Sequence, residues 1–299
     1  MQALVGLIRT MRPKQWTKNV IIYAGLVFDG QLFILDSFLR VTLSFVLLCL
    51  AASTIYIIND LVDIERDRQH PKKKYRALPS GQLPIRLAVA AAIIIPFVVV
   101  LVAFLYSPYY AGILLLYIVL NILYSFRLKH VVIIDVMTIT VGYVLRVAGG
   151  VLVIHVAKFS PWLYAVTALF ALFLAISKRR QELVMLADDA ADARPIFREY
   201  NLPLLDEMLR LVTTGTLITY ILYTIEAPSV LLAGNNLALI TVPFIMYVIF
   251  RYLYLIHVKG EGSAPDEVVL RDRPLQLAIL LWGVSFVFIL YLAPRIFNS

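Results

Sequence analysis

Residues 37–67 read SFLRVTLSFVLLCLAASTIYIINDLVDIERD, an apolar run that ends in Asn59-Asp60-Leu61-Val62-Asp63-Ile64-Glu65-Arg66-Asp67. The run from 37 to 60 is long enough for a helix to cross a hydrocarbon layer of about 30 Å, which takes roughly 20 mostly apolar residues. Carboxylates follow directly at its end. On a continuing helix Asp60, Asp63 and Asp67 stand at i, i+3 and i+7, and Asn59, Asp63 and Asp67 at i, i+4 and i+8, so either set lies along one face. Like charges packed so closely repel unless a cation sits among them. Hard oxygen ligands of this kind suit Mg²⁺, which commonly holds one or two protein carboxylates and completes its shell with water and phosphate oxygens. The plain alternative is a solvated helix end whose acids pair with Arg66, Arg68 and Lys72 to Lys74.

The rest of the chain repeats the apolar pattern. Of its 299 residues 61% are hydrophobic and 15% charged, with mean hydropathy +0.86, a balance that a soluble core and shell of this length does not need. An all-α polytopic membrane protein is expected. Nine spans are read at 16–35, 37–60, 86–106, 109–126, 131–154, 160–178, 207–227, 234–256 and 274–295, with Asp29 and Gly30 interrupting the first. No low-complexity tract or domain boundary is seen, so 1–299 is read as one membrane domain. Acidic-basic loops after the second and sixth spans hint at an internal duplication.

Charge orients the spans. Four Lys and Arg lie before or at the start of the first span, seven lie in 61–86, two in 127–130, six in 178–210 and four in 251–273, which is 23 of the 27. Arg40, Lys158 and Arg295 fall on the opposite side, and Arg146 within a span. This asymmetry places the N-terminus and the basic loops in the cytoplasm and the C-terminus outside. No small-residue cleavage site follows Arg9, Arg12, Lys14 and Lys18, so no removable signal peptide is expected. The net charge of +8 is therefore largely a property of the cytoplasmic face, where it also meets anionic lipid. Nucleic acid is not an expected partner, since the basic residues are divided among short loops and no recognised module accompanies them. Cys49 is the only cysteine, which excludes an intramolecular disulfide. His70, His130, His155 and His257 show no metal-ligand spacing, which argues against zinc.

Several stretches could carry chemistry. After the acids come His70-Pro71-Lys72-Lys73-Lys74-Tyr75-Arg76-Ala77-Leu78-Pro79-Ser80-Gly81, in which lysines act as point charges for phosphate, Arg76 can grip it with two prongs, and Pro and Gly shape the loop. Tyr124-Ser125-Phe126-Arg127-Leu128-Lys129 leads to Asp135 just inside the next span. Asp135 and Arg146 are about three turns apart on that span and share a face; charges so placed pair or line a cavity. Gly142, Gly149 and Gly150 suit close helix packing rather than a phosphate loop. The sixth span ends in Ser177-Lys178-Arg179-Arg180-Gln181-Glu182, followed by Asp188, Asp189 and Asp192. This is read either as a second wall of the site, with Lys178, Arg179 and Arg180 for phosphate and Glu182 for metal or a hydroxyl, or as an ordinary solvated loop. Residues 261–273 read as surface.

Together these residues resemble the UbiA superfamily of intramembrane prenyltransferases, whose N-D-x-x-D-x-x-x-D motif is matched at Asn59, Asp60, Asp63 and Asp67. The resemblance covers nearly the whole chain and is strongest to the branch of decaprenyl-phosphate phosphoribosyltransferases, through Met11-Arg12-Pro13-Lys14-Gln15-Trp16-Thr17-Lys18-Asn19, His70-Pro71-Lys72-Lys73, Tyr124-Ser125 with Lys129 and Asp135, Lys178-Arg179-Arg180 with Glu182, and Arg271-Asp272-Arg273. It implies nine helices around a lateral cavity open to lipid, polar cytoplasmic loops, and Mg²⁺ bridging a pyrophosphate. Two departures stand out: Asp188-x-x-x-Asp192 lies ten residues past Lys178, and Ala77 occupies a position where proline is expected.

The reaction so implied moves phosphoribose from phosphoribosyl pyrophosphate to a polyprenyl phosphate. Asn59, Asp63 and Asp67 hold metal, and Asp60 holds metal or orients ribose hydroxyls. Lys73, Lys74, Arg76 and Lys129 grip pyrophosphate, and Lys178, Arg179 and Arg180 the 5-phosphate or the acceptor phosphate. Lys18, Tyr124, Asp135, Arg146 and Glu182 complete the substrate contacts. Prenylation of an aromatic acid or quinone precursor, and transport of an anionic metabolite, are the alternatives.

Overall fold

The computed structural model describes residues 2–154, 156, 160–186, 195–226, 236–261 and 265–292, and these form helices and turns with no strand among them. The chain opens with α1 (Gln2–Met11), a 3-10 helix (Pro13–Tyr23) and α2 (Ala24–Phe28). Then come α3 (Leu35–Val62), α4 (Ile64–Gln69), α5 (Ile85–Tyr106), α6 (Pro108–Phe126) and α7 (Ile134–Leu152). The last group is α8 (Pro161–Leu186), α9 (Leu202–Glu226), α10 (Val242–His257), α11 (Pro265–Arg271) and α12 (Arg273–Val287).

Eight of the helical segments are long and apolar enough to cross a membrane, and they match the second to ninth expected spans. The expected first span, 16–35, differs. It holds most of the 3-10 helix and all of α2, then turns at Asp29 and Gly30, whose φ of 76° suits a residue without a side chain. The described residues therefore give eight continuous spanning helices rather than nine. The composition explains the departure: Val20, Ile21 and Ile22 are β-branched, Gly25 follows, and Asn19 is fully turned inward, so little favours a regular α-helix here. At about 2 Å per residue the 3-10 helix still rises roughly 22 Å. A second departure is α8, which continues about two turns past the expected end at 178. Lys178 to Glu182 therefore sit on a helix and not in a loop.

By contact density the chain divides into two compact units. The first comprises the described residues among 1–26, 31–126 and 145–156, and the second those among 27–30, 127–144 and 157–299. In the first, α1, the 3-10 helix, α5 and α6 pack on α3. Val41, Leu48, Ala51, Ile55, Val99, Ala103 and Leu114 form its core. Ser107 alone links α5 to α6, and Tyr110 ties that corner to α3 by donating to the Ser44 carbonyl at 2.6 Å. Ile93, Phe97, Phe104 and Leu105 face outward, an apolar surface suited to lipid.

Small residues set one packing distance in this unit. A Cβ on Gly150 would stand 1.9 Å from the Ile22 carbonyl oxygen, and one on Gly149 3.0 Å from the Tyr110 ring. The glycines expected to permit close packing do so at these two positions. In the second unit α8 and α9 pack along each other and α10 packs on α12, around a core that includes Val136, Phe173, Ile176, Leu205, Leu209 and Ile249.

Candidate active site

In the first unit the acidic motif straddles a break. α3 stops at Val62, Asp63 (φ −88°, ψ 5°) forms the junction, and α4 begins at Ile64. The backbone keeps helical phase across it: Asp63 N–H donates to the Asn59 carbonyl at 3.0 Å and Asp67 N–H to that of Asp63 at 2.8 Å. The motif is thus two short helical pieces, not the single uninterrupted helix expected, yet Asp60 and Asp67 still converge. Both are buried, at 3% and 1% exposure.

A carboxylate so placed requires a cation, since an unpaired buried charge costs several kcal/mol. Arg12 Nη2 donates to Asp60 Oδ1 at 2.6 Å, and Arg76 Nη1 reaches both Asp60 Oδ1 at 3.2 Å and Asp67 Oδ2 at 2.7 Å. Lys73 Nζ lies 3.8 Å from Asp67 Oδ1. Of the pairing considered with Arg66, Arg68 and Lys72 to Lys74, this Lys73 contact and an Arg68 bond to Glu65 at 2.6 Å form, but the buried Asp60 and Asp67 are met mainly by Arg12 and Arg76. Arg12 has a left-handed backbone (φ 53°) between α1 and the 3-10 helix, and its guanidinium also lies over the Tyr56 ring at 4.8 Å. His70 orders the following loop by accepting the Lys72 and Lys73 N–H groups on Nδ1, at 3.2 and 3.3 Å. Lys74 is exposed beside Tyr75, and Lys18 is half-buried.

The donor set suits a hard cation. Asn59, Asp60, Asp63 and Asp67 offer oxygen only, and half-buried Asp63 spends none of its carboxylate on capping α4. No group of three or more Asp, Glu, His or Cys converges among the described residues. A cation here would rest on one or two carboxylates with phosphate and water completing its shell, which is the habit of Mg²⁺.

A second charged cluster lies in the second unit. Asp135 is fully buried. Its Oδ2 accepts from Arg179 Nε at 2.7 Å and its Oδ1 from the Tyr200 hydroxyl at 2.7 Å. Arg179, itself 2% exposed, extends the chain to Glu182 Oε2 at 2.8 Å, and Lys178 stands 4.0 Å from Glu182 Oε1. Arg180 bonds Asp206 at 2.5 Å. Burial, with the bond to Asp135, pushes the Tyr200 phenol above its usual range, so it remains a proton donor. Lys129 is exposed in a one-turn 3-10 helix at 128–130, and Tyr124 is half-buried near the end of α6.

Asp135 and Arg146 do not pair. Eleven residues on a helix are about 16 Å apart, and each finds other partners. Arg146 Nε donates to Asn19 Oδ1 at 2.8 Å and its Nη2 to the Tyr117 hydroxyl at 2.9 Å, with the guanidinium 4.9 Å from the Tyr117 ring centre. Asn19 Nδ2 in turn donates to Cys49 Sγ at 3.3 Å. The close approach at Gly150 brings the 3-10 helix near enough for this contact.

Sequence reasoning left Arg12, Asn19, Tyr117, Tyr200 and Asp206 without roles. Arg12 carried one signal, the Arg-Pro pair just ahead of a span. The others lie far along the chain from their partners. Asp188 and Asp192 fall outside the described residues.

Known proteins share this sequence pattern and this fold. The UbiA prenyltransferase family profile matches residues 20–270. A decaprenyl-phosphate phosphoribosyltransferase of Corynebacterium glutamicum is 32% identical over 97% of this chain and 88% of its own. One of Mycobacterium tuberculosis is 30% identical over 93% of this chain and 92% of its own. The fold matches a UbiA homologue from Archaeoglobus fulgidus, solved with GPP and Mg²⁺, at TM-score 0.68 and 18% identity, covering 95% of this chain and 99% of that one. An intramembrane helix bundle whose first continuous spanning helix, α3, ends in buried, cation-flanked carboxylates, matched over most of its length by that profile, belongs to the UbiA prenyltransferase family.

Proposed function

We propose that this protein transfers 5-phosphoribose from phosphoribosyl pyrophosphate to a polyprenyl phosphate of the decaprenyl class, releasing pyrophosphate at the cytoplasmic side of the cell membrane. The observation that carries the reading is the cation excess around Asp60 and Asp67: Arg12, Lys73 and Arg76 already surround two carboxylates, with Lys72 and Lys74 beside them. A donor that sheds a diphosphate is matched by such a surround. The similarity over nearly full length to two phosphoribosyltransferases supports the choice of donor.

In the reaction an acceptor phosphate oxygen bonds to ribose C1 as the bond from C1 to the diphosphate oxygen breaks, the electron pair leaving with diphosphate. The attacking oxygen is already ionised near neutral pH, so no general base is required. The main task is neutralising the leaving group. Asn59, Asp63 and Asp67 would hold Mg²⁺, which when bound supplies positive charge to the diphosphate oxygens. Arg76, Lys73 and Lys74 add their own charge to that group, and Arg12 holds Asp60 in place for metal or the ribose hydroxyls. Lys129, Lys178 and Arg180 supply charge for the substrates' phosphate groups, and Arg179 and Glu182 brace Lys178.

Purified protein given ribose-labelled donor, polyprenyl phosphate and Mg²⁺ should move label into the lipid fraction, and chelation should stop the transfer. Label that stays wholly in water refutes the assignment. Product from a prenyl pyrophosphate and an aromatic acid, with none from the ribose donor, would point to the family's other chemistry.

A further inference from the structure

Two residues other than glycine have positive φ among the described residues, Arg12 and Ile133. Ile133, at φ 68°, is the more unusual, because a β-branched side chain clashes with its own backbone in the left-handed region and stays there only under constraint. Its side chain is 43% exposed, so packing of that side chain does not supply the constraint. Hydrogen bonds do. Ile133 N–H donates to the Tyr200 hydroxyl at 2.8 Å, and that hydroxyl spends its one proton on Asp135 Oδ1 at 2.7 Å. Asp135 is anchored in turn by Arg179. Tyr200 is 4% exposed and joins Ile196 and Phe197 in the core formed with Val136, Phe173 and Ile176. A rigid post therefore holds one strained peptide at the end of the 127–133 connection, and that connection carries Lys129.

We infer that Tyr200 is a positioning residue: its hydroxyl, together with the Ile134 N–H bond to the Val132 carbonyl at 2.8 Å, keeps Ile133 left-handed and so fixes the 127–133 connection that carries Lys129. This rests on the phosphoribosyl-transfer reading and adds to it a residue that touches no reacting atom. The 128–130 turn packs against 195–198, so both ends of the connection are referred to the segment that bears Tyr200. Without the hydroxyl, Ile133 returns to negative φ and the turn loses its register. Donor binding then weakens, while turnover at saturation is little changed.

The test uses the full-length protein in lipid nanodiscs. Tyr200→Phe should raise KM for phosphoribosyl pyrophosphate about tenfold with kcat within about twofold, the size of effect expected from a misplaced binding group. Ile133→Gly alone should keep the wild-type KM and kcat. The double variant should recover KM to within about threefold, because glycine takes positive φ without steric cost. A wild-type KM in Tyr200→Phe, or no recovery in the double variant, overturns the inference. Amide hydrogen exchange separates it from the underlying reading. If no protein, wild type included, labels lipid, the phosphoribosyl reading fails. The positioning role then stands on faster exchange at 127–134 in Tyr200→Phe that Ile133→Gly reverses, and falls if exchange is unchanged. Should Tyr200→Phe fail to fold, the thermal midpoint of Ile133→Gly decides: a rise over wild type supports strain at this peptide, and a fall refutes it.

Discussion

Asp60 and Asp67 each sit in a place that would be hostile to a lone charge, and each has a guanidinium within 2.7 Å. Asp63 differs, being half-buried and at the junction between two helices. This division makes separate predictions. Asp63→Asn should leave the thermal midpoint in detergent unchanged and reduce turnover by at least about 100-fold, the range found when a group that stabilises developing charge is lost. Asp67→Asn should reduce turnover equally but also destabilise, because Arg76 and Lys73 would face a neutral amide. Near-normal rates in both variants would remove the metal role from this motif. The acids themselves were legible from their spacing. Their guanidinium partners were not, since Arg12 is 48 residues from Asp60 in sequence and no local pattern links positions so far apart.

At the scale of elements, two contacts carry testable weight. Gly150 lets α7 meet the 3-10 helix with essentially no side chain between them, and Arg146 reaches Asn19 only because of that approach. Gly150→Ala should lower stability by about 1–3 kcal/mol or more, the usual result of forcing a methyl into a filled space. Gly112→Ala, where nothing lies within 4 Å, should be neutral or slightly stabilising, since alanine favours the helix. Equal effects at both sites would deny the close packing. Asp272 ties α12 to α10: its Oδ1 accepts the Leu275 N–H at 2.8 Å as an N-cap, and Arg251 Nη2 donates to Oδ2 at 2.8 Å. The arginine bond holds this carboxyl below its ordinary range. A lowered folded value means that the stabilisation is complete above the unfolded carboxyl value of about 3.9 and fades as pH falls through the lower folded one. Thermal midpoints of wild type and Asp272→Asn should therefore differ by a constant amount above about pH 4 and converge only below it. Convergence already at pH 6 would show that another group is responsible.

For the whole molecule, the orientation rests on the crowding of Lys and Arg into alternate loops. With Cys49 replaced by alanine, a cysteine placed by Lys72→Cys should react with an impermeant thiol reagent only from the cytoplasmic side, and one placed by Tyr109→Cys only from the opposite side. The reverse pattern would invert the proposed topology and with it the access of a soluble donor. Eight spans and the acidic motif were readable from the chain alone, though not the far end of α8, because hydrophobic run length and helical spacing are local quantities set by the lipid's thickness and the 3.6-residue turn. The first segment departs from a single α-helical span for a related reason: its apolar run is long enough for a helix, but β-branched residues, Gly25 and the inward-turned Asn19 accompany a 3-10 helix instead. The pairing of Asp135 with Arg179 and Tyr200 rather than with Arg146, the left-handed peptide at Ile133, and the Arg12 and Arg76 pairs were decided only by tertiary structure. A buried charge takes whichever partner the packing of distant segments brings within about 3 Å, and that distance is not a property of any one stretch of sequence.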